Sequence, residues 1–275
     1  MLFLLLRAAL LFVALFVVPV LASLVWWANV DRPRLWNAAD WSSAAILPPA
    51  AAVPEARVHV LAARTGGLKG AVSVHSWIVW KREGAARWTR HDVVGWGRPL
   101  RRDAYAADGR WYSNEPSVLA TATGARAAAM IPKLEAEVAA YPFAARGDYR
   151  IFPGPNSNTF VAHLLRRVPE LGATLPPIAA GKDWLGPGIQ MLRDAGGDLH
   201  LSFGGWAGAS AGPRTGIELH LLGQTLGVDL RRPALKLPGV GRVGMAEVPR
   251  IDAAAPVAAA PADAANGIAP PPQGS

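Results

Sequence analysis

The sequence predicts an α+β fold, an antiparallel sheet with a few helices, held behind one N-terminal apolar helix. Three observations carry that expectation. Arg57 to Ala63, Ala71 to Trp80 and Trp88 to Trp96 are rich in alternating or continuous apolar residues of β type, Val58, Val60, Val72, Val74, Ile78 and Val79 among them. From Gly124 to Tyr141 the spacing becomes helical, with Ile131, Leu134, Val138 and Tyr141 on one face, and a second helix is expected over about Thr159 to Val168. Past Gly181 the chain turns β again in short runs separated by glycines, Asp198 to Phe203, Gly216 to Leu222 and Gly227 to Leu230. Strands gathered around one or two helices read as α+β.

In chain order, the first element is the apolar helix. No charged residue occurs from Ala8 to Val30, 23 residues, and at about 1.5 Å per residue that run spans a hydrocarbon core of roughly 30 Å. Trp26 and Trp27 close it where indoles favour a membrane interface, and Asp31, Arg32 and Arg34 follow. The rival reading is a cleaved signal peptide, with Val20-Leu21-Ala22 as the cleavage region, but the apolar run continues through Leu24 to Trp27, further than a signal needs. Arg7 and the amino terminus nearly balance Arg32 and Arg34, so the domain is placed outside the cytoplasm by the common arrangement of such chains rather than by charge.

The expected organisation is an anchor and flank over 1–36, a linker over 37–56, one α+β domain over 57–250 and a disordered Ala/Pro-rich tail over 251–275. Extended, the linker would reach roughly 60 Å, leaving the domain free of the membrane. Gly84 marks the turn of a hairpin between the second and third strands. Pro132 is expected to break the first helix or restart it. Pro153-Gly154-Pro155-Asn156-Ser157-Asn158 is a bend that delivers the chain from an extended stretch, Tyr149 to Phe152, into the second helix.

The composition excludes several chemistries. There is no cysteine, hence no disulfide, thiolate metal site or thiol nucleophile. The net charge of +8 comes from scattered arginines rather than one cluster, which argues against nucleic acid and suits proximity to anionic lipid. No metal-ligand spacing or phosphate-binding glycine loop is present, so neither metal nor cofactor is expected.

His75 inside an apolar strand, His91 on its hairpin partner and Ser157 at a helix start form the candidate constellation. His75 and His91 are symmetric about Glu83, which would make them cross-strand neighbours on one face. Asp92, next to His91, would then point to the other face and is a poor partner. A side chain in the first turn of a helix lies beside free N–H groups and the positive end of the dipole, where an oxyanion is favoured.

The order of a strand-borne histidine in Val-His-Ser-Trp-Ile, a polar residue on the next strand and then Asn-Ser-Asn-Thr-Phe at a helix start resembles the circularly permuted papain-like (NlpC-type) hydrolases and acyltransferases. The resemblance covers roughly residues 57 to 170 and implies His75 as base, His91 as the orienting group and Ser157 in the place of the family's cysteine. Backbone N–H groups about Ser157 and Asn158, with Asn156 and Trp77 near the ligand, would complete the site. Serine departs from that pattern: its hydroxyl loses the proton only during attack and demands a better aligned base than a thiol. The chain also resembles an uncharacterised family of bacterial membrane-anchored proteins bearing Gly-Pro-Asn-Ser-Asn-Thr-Phe, which implies no activity.

The function these residues suggest is hydrolysis or transfer at an amide or ester of an envelope component, a peptide, glycan or lipid, by a single-pass protein of the bacterial inner membrane whose domain lies in the periplasm. Two alternatives stand beside it: a catalytically inactive module that binds envelope ligands through Trp77, Trp88, Trp96 and Trp111, and a structural partner of other membrane proteins. Each residue also has a plain role available. Asn156, Ser157 and Asn158 are ordinary helix-capping residues, a strand histidine commonly bonds backbone, and tryptophans commonly fill cores.

Overall fold

The computed structural model describes residues 1–33 and 35–245. The expected tail, 251–275, lies outside the described residues. Helix α1 runs Leu2–Ala28. The chain then forms β1 (Arg57–Arg64), β2 (Val74–Lys81), β3 (Thr89–Val93), β4 (Leu100–Arg102) and β5 (Ser117–Thr123). Helices α2 (Gly124–Ala139) and α3 (Ser157–Arg167) follow. The remainder is β6 (Ile189–Arg193), β7 (Leu199–Phe203), β8 (Ala207–Gly212), β9 (Gly216–Leu221), β10 (Gln224–Asp229), β11 (Ala234–Leu237) and β12 (Gly241–Gly244).

These elements make two antiparallel sheets. The first has the order β4-β3-β2-β1-β5, and both its faces are covered, which is why β1 and β2 read as nearly unbroken apolar runs. Val58, Val60, Ile78 and Trp80 face one way, into a core shared with Ile131 and Leu134 of α2 and Phe160 and Leu164 of α3. Leu61, Trp77 and Val79 face the other way, with Val94 and Trp111. Pro132 sits inside α2 without ending it, contrary to expectation. Its ring removes one helical hydrogen bond, while buried Met130, Ile131 and Leu134 on either side hold the helix onto the sheet.

The stretch expected to be a free linker covers the second face of that sheet. Trp41 meets Trp111 edge to face at 5.1 Å between ring centroids. The Asp108 carboxylate accepts the N–H groups of Ile46 and Leu47 at 2.8 and 3.0 Å. Lys81 Nζ, buried, donates to the carbonyls of Val53 and Glu55 at 2.6 and 3.0 Å. Apolar and aromatic residues interspersed among the Ala, Ser and Pro of this stretch give it something to bury, so little of the 60 Å reach survives.

Helix α1 is also tied to the domain. Ser23 Oγ donates to Ala71 and Gly239 carbonyls at 2.5 and 2.9 Å, and the Trp27 indole N–H donates to Gly67 O at 2.8 Å. Gly239, at φ +69°, is packed so closely that a Cβ there would lie 3.0 Å from Val20 Cα and 3.1 Å from Pro19 O. The domain therefore contacts the apolar helix directly, where the sequence suggests a tether.

The second sheet is a meander in chain order, β6 to β12. Its alternation is inverted. Glu218, His220, Ser202, Ser210 and Lys236 turn inward and are buried, while Ile217, Leu219, Leu199 and Leu235 on the same strands are exposed. The inward polar groups are satisfied by each other and by the segment after α3. Lys182 Nζ reaches the two Glu218 oxygens at 2.9 and 3.1 Å, Lys236 Nζ reaches Glu218 at 2.5 Å, and Ser210 Oγ links His200 and His220 at 2.9 Å each.

Candidate functional site

The hairpin register decides which groups meet. Ile78 pairs with His91, Val79 with Arg90 and Trp80 with Thr89, three residues away from symmetry about Glu83. An odd shift sends every side chain of β3 to the opposite face. His91 consequently lies on the helix-covered side, stacked on Trp80 at 4.7 Å, and cannot orient His75. Asp92 takes that place: its Oδ2 lies 3.3 Å from His75 Nε2 and 2.8 Å from the Arg90 guanidinium. Arg90, two residues earlier on the same face, is buried over the Trp77 ring at 4.2 Å and donates to Ala106 O at 2.8 Å. The signal available in the sequence was Arg-His-Asp within a buried strand, since alternate charged residues there point to an internal ion pair.

The electrostatics fix a tautomer. Burial works against a charged Asp92, but Arg90 and His75 outweigh it and hold the carboxyl below its ordinary range. A carboxylate only accepts, so His75 Nε2 carries the proton and Nδ1 keeps its lone pair. Burial lowers the His75 pKa, partly offset by Asp92, and the ring is neutral at pH 7. It lies flat on Trp111, 3.6 Å between centroids and 3° between planes. Nδ1 has no hydrogen-bond partner among the described residues, nor is it sealed from solvent.

His75 and Ser157 both line a cleft of about 690 Å³ with Trp96, Trp111, Tyr149 and Lys69. The start of α3 is built as an anchored terminus. Asn156 Oδ1 accepts the N–H groups of Asn158 and Thr159 at 2.9 and 3.1 Å, and Thr159 Oγ1 accepts the Asn156 N–H at 3.1 Å, a reciprocal cap. Asn156 Nδ2 donates to the carbonyls of Ile151 and Ala180. Asn158 Nδ2 donates to Val74 O and Ala180 O, both at 2.9 Å, and its Oδ1 accepts from Ser76 Oγ. The peptide bonds before Pro153 and Pro155 are cis.

This geometry revises the expected roles. Asn156 and Asn158 are buried fasteners, Asn158 joining α3 to β2 and Asn156 tying the helix start to Ile151 and Ala180, and the Asn158 N–H is already taken by the cap. The Ser157 N–H and hydroxyl have no partner among the described residues. Trp77 is fully buried, its indole N–H on Ala107 O at 2.9 Å, and does not line the cleft. Ser76 faces α3, so His75, its neighbour on β2, leaves the strand on the other side; serine and imidazole approach the cleft from different directions, and no hydrogen bond joins them.

A second group of potential ligands, Asp194, Asp198 and His200, lies under the second sheet with ligand atoms within 4.8 Å of one another. Arg214 bridges the two carboxylates, and Thr215 N and Oγ1 bond Asp198 at 3.0 and 2.5 Å, so both carboxylates already have partners within the protein.

The fold and site define a two-sheet α+β protein with an N-terminal apolar helix and a strand histidine held by a buried carboxylate at the edge of a cleft. Residues 55–184, which hold the first sheet, α2, α3 and both cleft residues, match the model of an uncharacterised family described as "Protein of unknown function (DUF3750)". No curated protein and no solved structure matches the chain. These comparisons lend nothing to the permuted papain-like resemblance.

Proposed function

We propose that this is a membrane-anchored hydrolase or acyltransferase acting on an amide or ester of the cell envelope, with Ser157 as nucleophile, His75 as base and Asp92, in the place expected for His91, as the orienting group. The observation that carries the reading is the unpartnered Nδ1 of a neutral His75 in the same cleft as the unpartnered hydroxyl of Ser157. As Ser157 Oγ attacks the carbonyl carbon, its proton passes to Nδ1, and the Ser157 N–H at the positive end of α3 faces the developing oxyanion. The proton returns to the departing amine or alcohol, and water or an acceptor hydroxyl releases the acyl group. Closing the two groups to hydrogen-bond distance belongs to substrate binding.

The membrane part of the reading rests on α1, which is long and apolar enough to cross a bilayer. Its retention is supported by Gly239, which is shaped around Pro19 and Val20, residues at or before the region where a signal peptide would be cut. Placement of the domain in the periplasm completes the reading.

A fluorophosphonate probe tests the chemistry. Labelling of the purified chain should vanish in Ser157→Ala and fall by a factor on the order of 10² or more in Asp92→Asn, which leaves His75 without a fixed tautomer. Equal labelling of Ser157→Ala would refute the nucleophile.

The missing Ser157–His75 hydrogen bond favours a second reading, a cleft that binds an envelope ligand without breaking a bond. Retention of envelope material would then survive Ser157→Ala and weaken in Trp96→Ala.

A further inference from the structure

We infer that the outward face of the second sheet rests on the surface of the bilayer into which α1 inserts, an inference that depends on reading α1 as a membrane helix. Across five consecutive strands the central outward row is Met191, Leu201, Ala209, Leu219 and Leu226, each paired with the next. Parallel rows on the same face include Ile217 and Leu235, and no outward position from β6 to β12 is acidic. Exposure reaches 82% at Met191 and 56% at Leu219. With strands about 4.8 Å apart and about 3.3 Å per residue, seven strands of about five residues present roughly 500 Å² of mainly apolar surface. That is in the upper part of the range of the largest patch on a typical monomer, a patch that is often functional.

Sheets that face water carry their polar residues outward. Here the polar residues are inward, consumed by Lys182, Lys236 and the Ser210 bridge, so the outward apolar positions are the built surface rather than a leftover.

The length of α1 names the occupant. The domain holds the helix at Pro19 and Val20, through Gly239 in the β11–β12 turn, and Phe16 one turn earlier is already buried. Residues 2–18 before that grip extend only roughly 25 Å, short of the roughly 30 Å hydrocarbon core. A spanning helix must therefore carry the β11–β12 turn to the edge of the hydrocarbon. Beside that turn Val240, Val243 and Leu235 are about half exposed, continuous with the outward face. Arg193 on the edge strand and Arg231 and Arg232 in the β10–β11 turn are exposed where anionic headgroups would lie.

The absence of cysteine makes the test direct. Leu219→Cys, Leu235→Cys, Glu83→Cys and Leu10→Cys, each in the full chain, carry one environment-sensitive fluorophore in vesicles of phosphatidylethanolamine and phosphatidylglycerol. Lipids bearing a spin-label quencher near the headgroup or deep in the chain are then added. The expected result is loss of more than half the emission at 219 and 235 with the headgroup quencher, little at 83, and strong loss at 10 with the deep one. If 10 is quenched but 219 and 235 respond no more than 83, the anchor stands and the docking face is wrong. If 10 is not quenched, the anchor reading itself fails and this inference with it. A blue-shifted probe at 219 that lipid does not quench, and that depends on the protein-to-lipid ratio, assigns the face to a second copy and overturns the proposal.

Discussion

Removing the charge of Glu218 tests the inverted sheet from its inner side. Glu218 is 2% exposed and lies between Lys182 Nζ, at 2.9 and 3.1 Å from its two oxygens, and Lys236 Nζ, at 2.5 Å. Burial disfavours the carboxylate, yet Lys182, His220 and Lys236 outweigh burial and bring its pKa down to about 2. Against an ordinary value of 4.5 that difference corresponds to roughly 3 kcal/mol. Glu218→Gln keeps the shape and leaves two ammonium groups in the interior without a counter-charge, a loss of about 3–5 kcal/mol. For a chain of this size the melting temperature should fall on the order of 10 °C. Thermal and denaturant melts of the detergent-solubilised chain read both quantities. The triple replacement Lys182→Met, Glu218→Leu, Lys236→Met should recover most of the loss, because it removes the desolvation cost together with the attraction. A loss below about 1 kcal/mol for Glu218→Gln, the size of a surface pair, would mean that this carboxylate is hydrated and that the sheet does not turn its polar face inward.

Two further outcomes are expected. His220 and His59 are held neutral by burial, with pKa values down to about 3 and about 4, so the folded state binds fewer protons than the unfolded one and stability is lost as pH falls from 6.5 toward 4. Asp183, raised by burial to about 6, works the other way between pH 6 and 3.8; the net loss at pH 4 is on the order of 4 kcal/mol, and a melting temperature that stays level or rises over that interval refutes it. Asn156→Ala removes a cap and two donors to the part-buried carbonyls of Ile151 and Ala180, and should cost about 2 kcal/mol, with Asn156→Asp recovering only the cap portion; an unchanged denaturation midpoint in Asn156→Ala would show the α3 terminus to be held by other means.

What the chain reveals before folding follows the physics of each element. The first two strands are legible because both their faces are buried, and α3 because Asn156, Ser157 and Asn158 announce a capped start, though the helix begins at Ser157, two residues before the expected Thr159. The register of β2 and β3 is not, since Lys81 to Trp88 contains several positions at which the chain could reverse, and symmetry about Glu83 picks the wrong one. That one error exchanges Asp92 for His91. Strand β8, Ala-Gly-Ala-Ser-Ala-Gly, has too little side chain to show any period and is held by its neighbours alone. The apolar span is plain, but the contact of Ser23 and Trp27 with the domain depends on backbone carbonyls 40 or more residues away.

The fastening of residues 41–56 across the back of the first sheet leaves almost no slack between helix and cleft. A slack tether would let the cleft sweep tens of ångströms about the helix; this chain instead holds it in one place relative to α1. Under the proposed reading of α1 as a membrane helix, encounters become a search in the plane of the membrane, and reach toward more distant layers is left to the ligand.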